Sequence, residues 1–294
     1  MQNRIMAPRR DLFIWAAALL LACLLVGCSA LRLGYANGQS IMYWWLDSYV
    51  NFDHDQKPWV KNHIKNLFVW HRKTQLRDYA QLLAHAQQHL QHKLTPADVQ
   101  VSYTAVKQRA MAVAEYALPD LATLALSLKP AQIEHIERKF ASNNDAYRKD
   151  YLRGGLDDRQ AFRFKQVMKQ AEYWFGDFSA QQEAQIRAAS NARPLNNEWW
   201  LAERERRQKA IIQLLRRIQA EKPAHDAAVA MLRVQLPALF DIMTYNEHKE
   251  FFDAWREGTL QMIVTIVNIA TPVQREHARQ RLQKLIEDCN AMAE

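Results

Sequence analysis

The chain has 294 residues, 49% of them hydrophobic and 24% charged, with a formal net charge of +8. That is enough apolar material for one large buried core or two small ones, and it excludes an intrinsically disordered chain. Only 7 Gly and 9 Pro punctuate it, which argues against sheet-rich folds, glycine-rich phosphate loops and multi-linker architectures.

Residues 1–27 read as a targeting segment. Arg4, Arg9 and Arg10 precede an unbroken apolar run from Leu12 to Val26, and Leu25-Val26-Gly27-Cys28 closes it. The run is short for a membrane span, and a small residue before a cysteine suits cleavage ahead of a lipidated Cys28. Twin-arginine export finds no support beyond the Arg9-Arg10 pair itself. Removing residues 1–27, with three arginines and one aspartate, leaves 36 basic and 30 acidic residues. This mild excess does not indicate nucleic acid and is compatible with an anionic membrane surface. Ser29 follows the cysteine with no Asp to retain the protein at an inner membrane. The expectation is a lipid anchor on Cys28 in the inner leaflet of an outer membrane facing the periplasm, a tether over 28–38, and one helical periplasmic domain over 39–294.

After the tether comes the aromatic block Tyr43-Trp44-Trp45-Leu46-Asp47-Ser48-Tyr49-Val50. Trp44, Trp45 and Tyr49 lie close enough to the anchor to sit among lipid headgroups. The spread of tryptophan along helical stripes favours instead a core reading, with Tyr43, Trp44, Leu46, Val50 and Trp59 packed under the next helix and Asp47 paired with Arg72 or His71. From about Pro58 to His92 there is neither Gly nor Pro. Apolar residues recur as Val60, Ile64, Leu67, Phe68, then Leu76, Tyr79, Leu83, Ala86 and Leu90, which predicts one long N-terminal helix.

Further stripes follow at Ile133, Ile136, Phe140; at Phe164, Val167, Met168, Ala171, Trp174, Phe175; and at Ile211, Leu214, Leu215, Ile218. The last helices are expected over about 224–244, 246–270 and 272–292, with a kink at Pro237 and a start at Pro272. The 11-residue apolar stretch from Leu260 to Ala270 reads as a core helix, too short to span a bilayer. No segment alternates with period two, so the predicted fold is all-α: an elongated multi-helix bundle without sheet. Glu203-Arg204-Glu205-Arg206-Arg207 reads as a solvated face.

Four helix starts share a polar residue with Gln or Asp three positions later: Asp53/Gln56, Thr95/Asp98, Lys129/Gln132 and Ser179/Gln182. Their uneven spacing speaks for ordinary capping rather than a solenoid. Leu94-Thr95-Pro96-Ala97-Asp98 and Leu128-Lys129-Pro130-Ala131-Gln132 resemble, each incompletely, the Leu-Thr-x-x-Gln motif of the small periplasmic chaperones of the Spy and CpxP group. Over most of the chain the sequence resembles an uncharacterised family of proteobacterial putative lipoproteins, a domain of unknown function. The resemblance rests on Cys28-Ser29, Leu31-x-Leu33-x-Tyr35, the aromatic block, Asp53 through Gln56, Trp59, Trp70-His71-Arg72 and Leu76-x-x-Tyr79. It implies a helical envelope lipoprotein and carries no activity.

His85, His89 and His92 project within about 60° of one another on a continuous helix, a candidate zinc or copper site. The intervening Gln87, Gln88 and Gln91 and the lack of a Glu between the histidines favour a solvated face. Cys289 is the one thiol left beyond Cys28, so no internal disulfide forms, and an inert cysteine is favoured. No Gly-x-Ser-x-Gly, Walker loop, Gly-x-Gly-x-x-Gly or Cys-x-x-Cys is present, and Asp53, Asp55, Asp157 and Asp158 sit at helix starts. The sequence thus points to a non-enzymatic binding or scaffold lipoprotein without cofactor, contacting the membrane through Cys28 and an envelope protein through Trp44, Trp45, Trp70, Arg72 and Tyr79. An envelope-stress chaperone or metal buffer, and a cell-wall hydrolase, are the alternatives.

Overall fold

The computed structural model describes residues 30–240 and 247–294. The leader expected over 1–27 and Cys28 lie outside the described residues, among which there are twelve helices and no strand: α1 Ala30–Ala36, α2 Gly38–Val50, α3 Gln56–Thr74, α4 Leu76–His89, α5 Pro96–Ser127, α6 Pro130–Tyr151, α7 Leu156–Phe175, α8 Ala180–Ala192, α9 Asn197–Glu221, α10 His225–Phe240, α11 Lys249–Ile269 and α12 Pro272–Ala293. The fold is all-α. No single described helix is long and apolar enough to cross a membrane; α5 and α6 pass such a test only together, across a bend of 114°.

Three apolar clusters hold the helices. The first joins α2, α3, α6 and α9 through Tyr43, Val50, Val60, Ile64, Ile133, Ile136 and Ile212. A second joins α7, α8, α11 and α12 through Phe164, Met168, Phe175, Ile186, Met262, Ile266 and Ala278. The third pairs α5 with α10 through Leu118, Ala122, Ala228 and Leu236. Each draws on residues three or four apart within a helix, as the stripes in the sequence require.

The single helix expected over Pro58–His92 is two helices, broken at the buried Gln75. At about 100° per residue the apolar phase advances by about 120° between Ile64 and Leu76. The two halves accordingly face different partners: α3 lies on α2, and α4 lies along α12. The segment expected to be a tether is helical from Ala30, and this α1 contacts α2 and α12. Asp47 does not pair with Arg72 or His71; its carboxylate accepts the Phe52 N–H at 2.8 Å, beyond the end of α2.

Two helix junctions are clasped by paired glutamines. At one, Gln56 and Gln132 each accept their own helix-start N–H, from Asp53 and Lys129, at 3.0 Å. The Gln132 amide donates to the Asn51 carbonyl (3.2 Å) and to Gln56 (2.7 Å), while the Gln56 amide donates to the Ser127 carbonyl at 3.3 Å. At the other, Gln182 and Gln274 accept from Ser179 (3.0 Å) and Thr271 (2.8 Å). Their amides reach across to Ile269 O (2.8 Å) and Asp177 O (2.6 Å), and Gln182 donates to Gln274 at 2.8 Å. The N3 glutamine of a capping box thus also staples the neighbouring helix, satisfying backbone groups that a helix terminus leaves orphaned. Four of these helix starts, Thr271/Gln274 among them, pair distant helices, while Thr95/Asp98 caps only its own helix.

Candidate functional site

The residues singled out from sequence fall into separate places. Trp44 and Trp45 are 70% and 59% exposed on α2, so the core reading fails for Trp44, while Tyr43 and Val50 on the opposite side are buried. Trp70 of α3 stacks on Tyr116 of α5, ring centroids 4.0 Å apart and planes at 8°. Arg72 is exposed, with its guanidinium 5.6 Å from the Tyr35 ring centre. Tyr79 belongs to a chain in which His71 links Tyr35 at 3.1 Å and Tyr79 at 3.2 Å, edging a cavity of about 580 Å³ beside α1. Burial lowers the His71 pKa and raises those of Tyr35 and Tyr79, so the chain is uncharged at neutral pH.

The histidine array does not form. Helix α4 ends at His89, and the chain leaves it through a tighter turn in which the His92 N–H bonds to the His89 carbonyl. His85 and His92 are exposed, and His89 lines a small apolar space under α7 and α11. Among the described residues no group of three or more His, Cys, Asp or Glu side chains is placed to hold a metal ion. Cys289 is buried, and burial with Asp288 beside it raises the thiol's pKa, which disfavours the reactive thiolate. Glu203 is 2% exposed and not on a solvated face; Arg206 grips it with two bonds of 2.7 and 2.8 Å.

A larger cavity lies elsewhere, about 760 Å³ between α6, α7, α9 and α11. One wall is α7, which presents Phe162, Val167, Ala171 and Trp174 at helical spacing with Gln166 and Gln170 alongside. Opposite it, α11 contributes Trp255, Met262, Ile263 and Ile266, and α9 adds Trp200. Trp200 meets Trp255 edge to face at 5.0 Å. Tyr147 and Tyr151 of α6 close one end. Burial first, then Tyr151, pushes the Tyr147 pKa up to about 12, so its hydroxyl remains a neutral donor at neutral pH.

Three arginines interrupt these apolar walls. Arg159 pairs with Glu198 at 2.6 Å. Arg163 and Arg193 have no carboxylate within ion-pair distance among the described residues. Arg163 donates to the carbonyls of Pro194 and Arg193, both at 3.2 Å, and Arg193 donates to the Thr259 hydroxyl at 3.3 Å. The Nε of each of the three is buried without a hydrogen-bond partner. Burial, followed by repulsion from Arg163, lowers the Arg193 pKa to about 10, and burial lowers that of Arg163. Both side chains therefore remain cationic at neutral pH.

Local structure fixes this placement. Helix α8 stops at Ala192, and Arg193 leaves it in extended backbone ahead of Pro194, turning its side chain toward α11. There Gly258 lets it approach: a Cβ at 258 would lie 2.9 Å from Arg193 Cγ and 3.4 Å from its Cα. Burying a guanidinium without an anion is costly, and each unsatisfied buried donor adds about 1–3 kcal/mol. Sequence reading missed the cavity because its walls come from four helices far apart in the chain. The visible signal was Gln166 and Gln170, polar residues four apart alongside the apolar stripe of α7.

A family described as "Family of unknown function (DUF6279)" matches residues 48–241. The match takes in the α6, α7 and α9 walls, Arg163 and Arg193, and ends before α11. No curated protein and no solved structure matches the chain. With the family covering well over half of its length, the chain belongs to this family of unknown function.

Proposed function

We propose that the chain is a lipid-anchored protein of the cell envelope that acts by binding rather than by catalysis. Its ligand in this reading is an amphiphile with an anionic end, held between α6, α7, α9 and α11. The observation that carries this is the combination, in one cavity of about 760 Å³, of aromatic and aliphatic walls with two arginines, the buried Arg193 and the half-buried Arg163, that lack an acidic partner among the described residues. The volume is in the range of sites for small organic molecules, and few polar groups in a mostly apolar lining are what such sites use to orient a ligand. A sulfonate, carboxylate or phosphate meets the Arg163 and Arg193 guanidinium groups with charge-assisted bonds, while an acyl or aromatic body fills the space against Trp200, Trp255 and Met262. The anchor rests on Leu12–Val26 and Cys28, and with Ser29 it supports the periplasmic face of an outer membrane.

The test is a titration of the purified chain with 1-anilinonaphthalene-8-sulfonate, read as energy transfer from Trp200 and Trp255. One saturable site is expected, and Ile263→Trp, which narrows the cavity, weakens it. Dye binding that is unsaturable, or indifferent to Ile263→Trp, contradicts the reading.

A further inference from the structure

The first 45 described residues carry a second surface, and its position relative to the membrane attachment gives it meaning. Leu31 and Leu33 of α1 are 39% and 51% exposed, and Ile41, Trp44 and Trp45 of α2 are 59%, 70% and 59% exposed. Positions 41, 44, 45 and 48 form one face of α2, opposite buried Val50 and Tyr43. Leaving two indoles in water forfeits the gain of burying them, about 25 cal/mol for each Å² of apolar surface.

Beside this face, α3 contains no Asp or Glu and carries Lys57, Lys61, Lys65 and Arg72, which fall within about 80° of one another around the helix. The Lys61 ammonium stands 4.7 Å from the Tyr43 ring centre and shares a depression with Trp44. An aromatic stripe next to an unopposed basic one has the chemistry of a headgroup layer, with indoles at the interface and ammonium groups toward phosphate.

The surface is held rigidly. Gly38 sits so close to Phe68 that a Cβ there would be 2.6 Å from the ring, Tyr35 bonds His71 at 3.1 Å, and Arg32 pairs with Asp288 of α12. It also lies next to the point of attachment. Helix α1 begins two residues after Cys28 and four after the apolar run ends at Val26, and Trp45 lies fifteen residues beyond Ala30, at most about 23 Å at helical rise.

We propose that Ile41, Trp44 and Trp45, with the α3 basic stripe, seat the protein on an anionic phospholipid surface and fix its orientation there. This rests on the membrane attachment proposed above; the seat is a separate contact that holds the first helices flat instead of letting the bundle swing.

The experiment uses the full chain reconstituted into phosphatidylcholine vesicles, with or without phosphatidylglycerol, containing lipid with a nitroxide on its headgroup. The emission of Trp44 and Trp45 is isolated as the difference between the chain and Trp44→Phe/Trp45→Phe. With phosphatidylglycerol present this emission is expected to be largely quenched, and Lys61→Glu/Lys65→Glu is expected to shift the docked-to-undocked ratio by about tenfold or more. Circular dichroism of each variant shows that it is folded. Flotation and the mass of the mature chain are read on the same vesicles. A chain that floats with unquenched Trp44 and Trp45 overturns the seat and leaves the anchor. One that is quenched while Cys28 is unmodified overturns the lipid anchor and leaves the seat. A chain neither floating nor quenched at vesicle excess overturns both.

Discussion

The two glutamine clasps are alike in their bonds, yet the cores beside them are filled differently. Next to Gln56 and Gln132, α2, α3, α6 and α9 interdigitate; the space that Met42, Leu46, Trp59 and Ile64 share with α5 is about 190 Å³, and the cavity of about 580 Å³ lies farther out, beside α1. Next to Gln182 and Gln274, α7 and α11 diverge from α6 and α9 around about 760 Å³. The same junction chemistry therefore does not dictate how well the layer beneath it packs. Where the helices could have closed, the second region instead places Arg163 and Arg193, cations whose burial works against stability. A void edged by uncompensated charge is a poor design for a scaffold and a good one for a receptor, which is why the binding reading rests on this region.

Breaking either clasp has the largest expected effect. Gln132→Leu strands the Asn51 carbonyl and the Lys129 N–H, and Gln274→Leu strands the Asp177 carbonyl and the Thr271 N–H. Each is expected to cost about 2–4 kcal/mol in denaturant unfolding, since part-buried hydrogen bonds are lost to two backbone groups and to the partner glutamine. Filling the two cores sharpens the contrast. Leu46→Trp overpacks the tight region and is expected to cost about 1–3 kcal/mol, while Ile263→Trp at the large cavity leaves Tm nearly unchanged or raises it.

The smallest effect is on pH dependence and belongs to the tightly tied first helices. Burial lowers the His71 pKa, so on acidification the unfolded chain takes up the proton first. The stability His71 contributes is complete above the ordinary value of 6.5 and is lost as pH falls below it through the lowered folded value. His71→Gln is expected to flatten the fall of Tm between neutral pH and pH of about 5 relative to the parent chain. Parallel curves for the two proteins would show that His71 titrates as freely folded as unfolded.

Much of the fold was legible because helices announce themselves locally. The Ile133-Ile136 and Phe164-Met168-Ala171-Phe175 stripes are buried, and the caps at Thr95 and Ser179 are made by their own side chains. The break at Gln75 was hidden because no Gly or Pro marks it; only the shift of apolar phase between Ile64 and Leu76 did. Trp44 and Glu203 show the two errors of reading residue type as location. The indole is exposed on α2, and the carboxylate is buried while the exposed Arg206 reaches in to pair with it. The cavity was illegible for a stronger reason: Arg163 and Arg193 become neighbours only when the α8–α9 turn meets α7 and α11, a relation no local period encodes.

The central claim is that buried positive charge selects the ligand, and a cycle of two proteins against two probes tests it most directly. The parent chain and Arg193→Met are titrated with 1-anilinonaphthalene-8-sulfonate and with uncharged 1-anilinonaphthalene. A charge-assisted contact contributes about 1.5–3 kcal/mol, so the substitution is expected to weaken the sulfonate by about tenfold to a hundredfold and to leave the uncharged probe nearly unaffected. Equal loss for both probes, or no loss for either, would contradict the account, because Arg193 would then be shaping the cavity or standing outside it rather than reading the charge of what it holds.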